Sequence, residues 1–527
     1  MQGAFTMVIG QILERNLWRY PHKEAMCFEN TRLSFLSSAD RIYRLANALC
    51  NLGLKKGDPV AFLLPHNMIE AQEIIFALGV TGMPIVPINA RFSSTEIAHL
   101  VSRCKVKGLI YHHSLSGLLE SVRPSLKNVQ IFVAIGQPTS LEDYDYEKLL
   151  LQSPPTPPDV SVKESDIAAL IHTSGTTGMP KEVIWTHKSW LAGVRDIIIT
   201  FQLTDRDILL MFTPYFHIPF FWFNLAVSYM GGCLVFIRRP DPHLILEAIE
   251  KHKVTVVSHF VPTTLIRVLD FPDLDRYDVS SVRYYMYGGA PMPFGILERA
   301  VPKMGNRFIQ LYGFTELAGC AAALTPEEHI IDGTEKERRR LLSCGREMPS
   351  SDIRIVDERG RVVGPGVEGE LIYRGDNLMK GYWRNPAETK AVLKDGWFHT
   401  GDVGFMDEDR YIYISGRKKD IIISGGENIT PKQVEDVICK HPSVEMAAVI
   451  GIPDPKWGEA VKAVVVLKKG KQATEEEIIQ LCKDNLASYK VPKSVDFVPS
   501  LPTTHTGKIK KWELRERYTK KAGHKPL

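Results

Sequence analysis

The segment best suited to chemistry is a short loop rich in glycine and hydroxyl groups. The run His172-Thr-Ser-Gly-Thr-Thr-Gly-Met-Pro-Lys181 directly follows a predicted strand. Glycines let backbone N–H groups converge on an anion, hydroxyl groups donate hydrogen bonds, and a lysine adds a mobile positive charge. The loop is not a Walker A motif, because Pro180 stands where its second glycine would be and Glu182 where its serine or threonine would be. We therefore expect this loop to bind an oxyanion.

Six further motifs follow the loop along the chain: Gly288-Gly-Ala-Pro291, Tyr312-Gly-Phe-Thr-Glu316, Trp397-Phe-His-Thr-Gly-Asp402, Gly416-Arg-Lys-Lys-Asp420, Gly425-Gly-Glu-Asn428 and Thr506-Gly-Lys508. The seven motifs resemble, in order, those of the adenylate-forming superfamily, which includes acyl-CoA synthetases, amino-acid-activating adenylation domains and beetle luciferases. The resemblance spans essentially the whole chain and is strongest to the AMP-dependent carboxylate–CoA ligases. It implies ATP, Mg²⁺ and coenzyme A as reactants or cofactors, and a small carboxylic acid as substrate.

The resemblance implies that the N-terminal motifs hold the nucleotide. The loop would bind the leaving pyrophosphate through Thr173, Ser174, Gly175, Thr176, Thr177, Gly178 and Lys181. Glu316 would ligate Mg²⁺, a hard ion that prefers oxygen ligands, and Thr315 would hydrogen-bond the α-phosphate. The nucleotide would also contact Gly289, Ala290, Pro291, Tyr312 and Gly313.

The later motifs would complete both halves of the reaction. By resemblance, Asp402 accepts hydrogen bonds from the ribose hydroxyls, which suits a carboxylate that can only accept, and Arg417 also contacts the ribose. Lys508 would offset the charge that accumulates at the α-phosphate when acyl-AMP forms. Lys419 fits the hinge about which the C-terminal domain rotates. After rotation, coenzyme A would enter through a channel lined by Gly425, Gly426 and Glu427.

The dipeptide Phe216-His217 bears on the choice of acid. Amino-acid-activating relatives typically have Phe-Asp here, whose carboxylate pairs with the substrate ammonium. His217 has no fixed negative charge and therefore favours an acid without an α-amino group, with a buried core histidine as the alternative. An apolar acyl pocket, for a fatty or aryl acid, is expected around Phe216, Ile218, Phe220, Phe221, Trp222, Phe260, Thr263, Tyr287, Gly288 and residues 318–323.

Glu182 departs from the family pattern, which usually has glycine after the loop lysine. A carboxylate facing the pyrophosphate would weaken ATP binding, whereas one that faces outward or pairs with Lys181 would have little effect. Two alternatives to a CoA ligase stay open, and Glu182 motivates the second of them. One is a freestanding enzyme that loads a carrier protein, and the other is a catalytically impaired nucleotide- or acyl-binding homologue.

Alternating helical and strand patterns predict an α/β fold with largely parallel sheets. Examples are a helix over residues 37–52, then a strand from Val60 and a helix over residues 68–78. A β-rich section is predicted over residues 353–414, followed by a small α+β domain that the resemblance makes mobile. We place the N-terminal adenylation domain at residues 1–416 and the C-terminal domain at residues 417–527.

Composition narrows the class of protein. The 527 residues include 65 Lys and Arg against 61 Asp and Glu, which gives no reason to expect nucleic-acid binding.

Residues 208–237 lack charged side chains, but prolines and glycines interrupt them, which favours a strand, a loop, a buried helix and a strand over a membrane span. The eight scattered cysteines indicate neither a disulfide scaffold nor a zinc site. We expect a cytoplasmic monomer or homodimer, with at most transient membrane contact.

Overall fold

The structure is a computed structural model that describes residues 7–138, 140–173, 181–289, 292–424, 427–503 and 509–521. It divides into two compact units. Unit 1 comprises Met1–Asp352 and Arg374–Phe398, and unit 2 comprises Ile353–Tyr373 and His399–Leu527. The domain boundary after residue 416 stays a prediction.

Helices and strands alternate along unit 1, as the sequence predicts. The elements up to residue 152 are α1 (Ile9–Arg19), β1 (Glu24–Phe28), β2 (Thr31–Ser34), α2 (Phe35–Asn51), β3 (Val60–Leu63), α3 (Ile69–Thr81), β4 (Ile85–Pro87), α4 (Ser94–Cys104), β5 (Gly108–His112), α5 (Ser116–Val122), β6 (Ile131–Ile135), β7 (Tyr144–Asp145) and α6 (Tyr146–Gln152). Up to residue 347 they are β8 (Ile167–His172), β9 (Glu182–Thr186), α7 (His187–Thr200), β10 (Ile208–Met211), α8 (Ile218–Met230), β11 (Cys233–Phe236), α9 (Pro242–His252), β12 (Val256–Phe260), α10 (Pro262–Leu269), β13 (Tyr284–Gly288), α11 (Phe294–Met304), β14 (Phe308–Tyr312), β15 (Ala322–Leu324), α12 (Glu335–Arg340) and β16 (Arg346–Glu347).

The remaining elements include the β-rich section and the C-terminal α+β part. The first group is β17 (Ser351–Val356), β18 (Gly369–Gly375), β19 (Gly381–Tyr382), α13 (Pro386–Val392), β20 (Leu393–Lys394), β21 (Trp397–Met406) and β22 (Ile412–Arg417). The second is β23 (Ile422–Ser424), β24 (Glu427–Ile429), α14 (Pro431–Ile438), β25 (Val444–Asp454), β26 (Gly458–Leu467), α15 (Glu475–Asn485), β27 (Ser494–Phe497) and α16 (Lys511–Lys521).

Two large sheets organise unit 1. One has the order β19-β9-β8-β4-β3-β5-β6-β7 and the other the order β16-β15-β14-β13-β12-β10-β11-β1-β2. Strands β3 to β8 pair in parallel in the first sheet, as do β1 and β10 to β14 in the second. The predicted site segments follow the carboxyl ends of β8, β10, β13 and β14. In open α/β sheets this edge is where ligands bind.

The uncharged stretch at residues 208–237 forms β10, a loop, α8 and β11, as predicted. α8 is buried along most of its length because it packs inside unit 1. It ends at Gly231, whose positive φ of 86° is a conformation that suits glycine. Among the described residues, no helix is both long and apolar enough to cross a membrane.

The C-terminal sheet of unit 2 has helices on both faces. β25 pairs antiparallel with β26, which pairs in parallel with β27. Val449 packs with α14 and α15 residues, whereas its neighbour Ile450 packs with Leu514 and Tyr518 of α16, because successive strand residues face opposite sides. The fold is therefore α/β with a small α+β part at the C-terminus, as the sequence predicts.

Candidate active site

The predicted phosphate-binding loop connects the antiparallel strands β8 and β9, and the structure describes both of its ends. The Thr173 N–H donates to the Lys181 carbonyl at 2.9 Å, which closes the base of the loop. The predicted contacts Ser174, Gly175, Thr176, Thr177 and Gly178 lie outside the described residues.

The Lys181 side chain turns toward α13 and β19. Its ammonium group forms an ion pair with Glu388 and lies 5.4 Å from the ring centroid of Tyr382. The Tyr382 hydroxyl donates to Glu316 Oε1 at 2.7 Å. Lys181 and Glu316, 135 positions apart in the sequence, are thus joined through one tyrosine. We call Lys181, Tyr382, Glu316 and Glu388 the lysine–carboxylate network.

Backbone contacts fix the segment that carries Thr315 and Glu316. The Trp185 indole N–H donates to the Thr315 carbonyl at 2.9 Å, and the Met379 N–H donates to the Glu316 carbonyl at 2.9 Å. β9 supplies Trp185 and leads out of the phosphate-binding loop. The Thr315-Glu316 segment is therefore held against the strand that directly follows Lys181.

Glu316 fits the role of a Mg²⁺ ligand. Its side chain is half-buried, one oxygen accepts from Tyr382, and the second accepts no hydrogen bond from the described residues. A carboxylate oxygen with a free lone pair is the ligand type that Mg²⁺ prefers. Glu316 could therefore hold the ion in place together with phosphate oxygens of the nucleotide.

Glu182 is buried and points away from Lys181. Its carboxylate pairs with Arg103 of α4 at 2.5 Å, and its backbone carbonyl accepts from the Trp383 N–H at 2.7 Å. The Trp383 indole in turn donates to the Arg103 carbonyl. Burial raises the pKa of Glu182, and Arg103 opposes that rise. The carboxylate therefore pairs with a cation that the sequence did not suggest, and not with Lys181.

Two glycines of the adenine-side motif lie against a histidine. A Cβ on Gly288 would come within 3.0 Å of His259 and within 2.4 Å of the Leu311 carbonyl, and Gly289 has a positive φ of 72°. Both positions therefore require glycine. The predicted contacts Ala290 and Pro291 lie outside the described residues.

The expected acyl pocket is largely buried. His217 is the N-cap residue of α8 and is half-buried, with its ring 4.7 Å from that of Phe216. A Cβ on Gly313 would lie 3.0 Å from the ring of Trp222, which places Tyr312-Gly313 against α8. Trp222 is 2% exposed, and its indole N–H has no hydrogen-bond partner among the described residues.

Burial among the other expected pocket residues is uneven. The buried ones are Phe216, Phe220, Phe221, Phe260, Tyr287 and Gly288. Ile218 is half-buried. Thr263 is exposed on α10, and its place in the pocket stays a prediction.

Unit 2 brings the two predicted ribose contacts together. Asp402 and Arg417 are direct partners across β21 and β22, and the Arg417 guanidinium pairs with the Asp402 carboxylate at 2.5 Å. Asp402 is buried. Arg417 also donates to the Thr400 carbonyl, which orients the pair further.

The remaining C-terminal predictions are described only in part. Glu427 begins β24 and is exposed. Gly425, Gly426 and Lys508 lie outside the described residues. The carbonyl of Lys419 accepts a hydrogen bond from Arg515 of α16 at 3.0 Å.

Sequence reasoning missed Tyr382, Glu388 and Arg103. They belong to none of the seven motifs, and Glu388 lies 207 residues from its partner Lys181. The available signal was local. Glu182 stands where the family usually has glycine, and sequence spacing could not name the cation that its buried carboxylate requires.

Comparison with known proteins agrees with the motifs. The family model of the AMP-binding enzymes matches residues 13–383, and that of the AMP-binding enzyme C-terminal domain matches residues 433–508. A feruloyl-CoA synthase from Amycolatopsis sp is 36% identical, with 94% of this chain and 96% of that protein covered. The long-chain-fatty-acid–CoA ligase FadD13 of Mycobacterium tuberculosis is 32% identical, with 97% and 98% covered.

Solved structures share the fold. The amide bond synthetase McbA from Marinactinospora thermotolerans has a TM-score of 0.87 at 30% identity, covering 97% of this chain and 100% of that one. ATP-bound MatB from Rhodopseudomonas palustris also has a TM-score of 0.87, at 28% identity, covering 97% and 99%. The chain therefore belongs to the AMP-binding enzymes, the adenylate-forming superfamily, in the branch that contains the acyl-CoA ligases.

Proposed function

We propose that this protein is an AMP-forming ligase that uses ATP and Mg²⁺ to join an apolar carboxylic acid to coenzyme A. The observation that carries the proposal is the lysine–carboxylate network at the carboxyl edge of the parallel sheets. It brings together Lys181, which would bind phosphate, and Glu316, which would bind the metal ion. Relatives named for feruloyl-CoA, fatty acyl-CoA and indoleacetyl-CoA formation support the same reaction.

In the first half of the reaction, a carboxylate oxygen of the acid attacks the α-phosphorus of ATP and pyrophosphate leaves. Lys181 would exchange its contact with Glu388 for phosphate oxygens of the leaving group. Thr315 would donate to the α-phosphate, and Lys508 would offset its added charge. A bound Mg²⁺ would supply further neutralisation of the phosphates, held there by Glu316.

In the second half, the coenzyme A thiol loses its proton, its sulfur attacks the acyl carbonyl, and AMP leaves. Gly425, Gly426 and Glu427 would line the path of the thiol. Asp402 would accept from the ribose hydroxyls of the nucleotide, with Arg417 fixing the position of its carboxylate.

The acid is expected to be apolar because buried aromatic residues of α8 flank the Tyr312-Gly313 segment. His217 provides no fixed negative charge for a substrate ammonium. The indole N–H of Trp222 has no hydrogen-bond partner among the described residues. It favours an aryl acid with a hydroxyl or methoxy substituent on the ring, because a buried donor gains by finding an acceptor.

Loading of a carrier protein is the second candidate. A relative named as a fatty acid–[acyl-carrier-protein] ligase, ScoC from Streptomyces coeruleorubidus, is 32% identical over 94% of this chain. Catalytic impairment through Glu182 is not favoured, since Arg103 pairs with that carboxylate away from Lys181.

The test is product analysis across a panel of fatty acids, unsubstituted aryl acids and hydroxylated or methoxylated aryl acids. Each acid is incubated with ATP and Mg²⁺, with coenzyme A, a carrier protein or neither. We expect AMP, pyrophosphate and an acyl-CoA in equal amounts for at least one apolar acid. Acyl transfer to the carrier protein alone would favour the second candidate, and release of ADP, or no pyrophosphate exchange with any acid, would contradict both.

A further inference from the structure

A cluster of metal-ligand side chains lies in unit 1, among residues that no motif includes. Glu24 and Cys27 belong to β1, and His252 is the last residue of α9. One potential ligand atom from each of these three side chains lies within 4.8 Å of the other two. The cluster was not visible in the sequence, because His252 is 225 positions from Cys27.

A second thiol adjoins the cluster. Cys233 begins β11, which pairs in parallel with β1, and its Sγ lies 3.6 Å from Glu24 Oε1. Cys27 and Cys233 are 1% and 5% exposed, whereas Glu24 and His252 are half-buried. Cys233 thus adjoins the three-residue cluster on the side of Glu24, and the half-buried Glu24 and His252 lie near the protein surface.

This set of donors matches one class of ion. Two sulfur atoms, one nitrogen and one oxygen are ligands that zinc accepts in tetrahedral sites, whereas Mg²⁺ and Ca²⁺ require mainly oxygen. Ligand atoms around tetrahedral zinc lie about 3.3–3.8 Å apart, as follows from bond lengths of about 2.0–2.3 Å. The ligand atoms of Glu24, Cys27 and His252, all within 4.8 Å of one another, would therefore need to move closer by at most about 1.5 Å on binding. His252, at the end of its helix, is the member best placed to rotate inward.

The surrounding charges are compatible with bound zinc. The Arg32 guanidinium donates to Glu24 Oε2 at 2.7 Å, which fixes the carboxylate and leaves Oε1 toward Cys233. Zinc binding would deprotonate both thiols, releasing two protons to solvent, and the ligands would then carry three negative charges. The ion and Arg32 together would balance those charges.

We propose that Glu24, Cys27, Cys233 and His252 form a binding site for Zn²⁺ that joins β1, β11 and the end of α9. The bound ion would stabilise the N-terminal part of unit 1. The proposal is independent of the proposed ligase reaction, since none of these residues belongs to the lysine–carboxylate network or to a motif.

The test measures zinc retained by the purified, untagged full chain. Protein stripped with a chelator is incubated with Zn²⁺, passed through a desalting column and analysed for metal. We expect about one equivalent per chain, with retention falling at least tenfold in Cys27→Ser and in His252→Gln. Cys439→Ser, an exposed thiol in unit 2, and His243→Gln, exposed on the same helix α9, are matched controls that should retain zinc.

Two further readouts keep the test decisive if a variant is unstable. When Co²⁺ replaces zinc, the absorption spectrum should show a thiolate-to-cobalt charge-transfer band, and Cys233→Ser should weaken that band. In addition, Zn²⁺ should raise the midpoint temperature of thermal unfolding of the wild type but not that of His252→Gln. Zinc that is absent from the wild type, or that stays bound in both the Cys27 and His252 variants, would overturn the proposal.

Discussion

At the scale of single residues, the candidate active site depends on how two neighbouring charges are paired. Lys181 and Glu182 are adjacent, yet each pairs with a different partner, Glu388 and Arg103 respectively. The first pair is partly exposed and joins the loop lysine to α13. The second contains a buried carboxylate and joins β9 to α4. Mutation of the Lys181–Glu388 pair should therefore change ligand binding, whereas mutation of the Glu182–Arg103 pair should change stability.

The exposed pair should compete with nucleotide for Lys181. We expect Glu388→Gln to lower the Kd for ATP about two- to fivefold, because a partly exposed pair contributes at most about 1 kcal/mol. The control is Glu298→Gln, an exposed carboxylate on α11. Isothermal titration with Mg-ATP provides the measurement. Weaker ATP binding in Glu388→Gln would show that the carboxylate positions Lys181 for the nucleotide instead.

The buried pair should matter for folding. Arg103→Met leaves the Glu182 carboxylate buried without its cation, so we expect a loss of about 2 kcal/mol in the free energy of unfolding, at the low end of such losses because Arg103 is partly exposed. The double variant Arg103→Met with Glu182→Gln should recover much of this loss. Denaturant unfolding measures both. Equal destabilisation by the single and double variants would mean that Arg103 acts through packing alone.

These residues also mark the limit of prediction from sequence. Thr315, Glu316 and Lys181 could be named as candidates from the sequence because they stand in short motifs that resemble those of the family. Tyr382 and Arg103 were not, because their contacts with Glu316 and Glu182 depend on how strands and helices pack. A short motif describes only the spacing of its own residues. Contacts between residues far apart in the sequence can be known only once the fold is known.

At the scale of elements, α7 packs directly against the backbone that follows Glu316. A Cβ on Gly193 of α7 would lie 2.3 Å from the Ala318 carbonyl and 2.7 Å from the Cα of Gly319. The two glycines allow a helix and a loop to approach more closely than any side chain permits. The position of the Thr315-Glu316 segment therefore depends on a helix–loop contact two to three residues further along the chain.

Gly193→Ala should displace that segment. Alanine favours a helix, yet here we expect a loss of about 1–3 kcal/mol from overpacking, together with slower pyrophosphate exchange. Gly295→Ala is the matched control, because Gly295 lies in α11 with open space around it and alanine should stabilise that helix by about 0.5–1 kcal/mol. Thermal unfolding and exchange rates test both variants. If Gly193→Ala lowers stability but leaves the rate of pyrophosphate exchange unchanged, the contact serves packing and does not position the Thr315-Glu316 segment for catalysis.

A histidine behind β13 should make stability depend on pH. His329 is buried, and its ring contacts the Tyr287 hydroxyl at 2.9 Å and the Thr325 carbonyl at 2.7 Å. Burial lowers the pKa of His329 to about 4 from its ordinary value of 6.5, although the bond to Thr325 opposes this. Between these values the unfolded chain binds more protons, so stability falls as the pH decreases from 6.5 toward 4.

Comparison of the wild type with His329→Gln isolates the contribution of His329 to the pH dependence of stability. Lowering the pH from about 7.5 to about 5 should cost the wild type about 1–2 kcal/mol more than it costs the variant, since glutamine does not titrate. His22→Gln, at an exposed position, should keep the pH dependence of the wild type. Denaturant midpoints at the two pH values measure the difference. Parallel pH dependence of the wild type and His329→Gln would contradict the assignment.

Element boundaries were predictable where strong breakers interrupt an apolar run. Prolines and glycines correctly divided residues 208–237 into β10, α8 and β11. The segments Thr474-Glu-Glu-Glu477 and Thr430-Pro-Lys-Gln433 each predict a capping box at the start of a helix. The Thr474 side chain does accept from the Glu477 N–H, but no side-chain cap forms at Thr430. Gln433, which should have completed that capping box, instead accepts from Lys490 at 2.7 Å. A tertiary contact thus replaces the local one.

At the scale of the whole molecule, the proposed reaction requires the C-terminal part to adopt two orientations, as the resemblance implies. The hinge candidate Lys419 lies in a short 3₁₀ turn, Lys418–Asp420. Arg515 of α16 donates to the carbonyls of Lys419 and Asp420, at 3.0 and 2.8 Å. Residues 419–420 are therefore fastened to α16 of unit 2, so torsion changes would concentrate at or before residue 419.

Restricting that torsion should separate the two half-reactions. In Lys419→Pro the ring fixes φ near −65°, a value that a 3₁₀ turn already has, so the turn should persist while rotation about it is blocked. We expect pyrophosphate exchange within about twofold of the wild type and thioester formation reduced at least tenfold. Tyr489→Pro, at the middle of the turn Ser488–Lys490 in the same unit, controls for proline itself and should spare both reactions. Equal loss of exchange and thioester formation in Lys419→Pro would show that the turn is needed as a structure and not as a pivot.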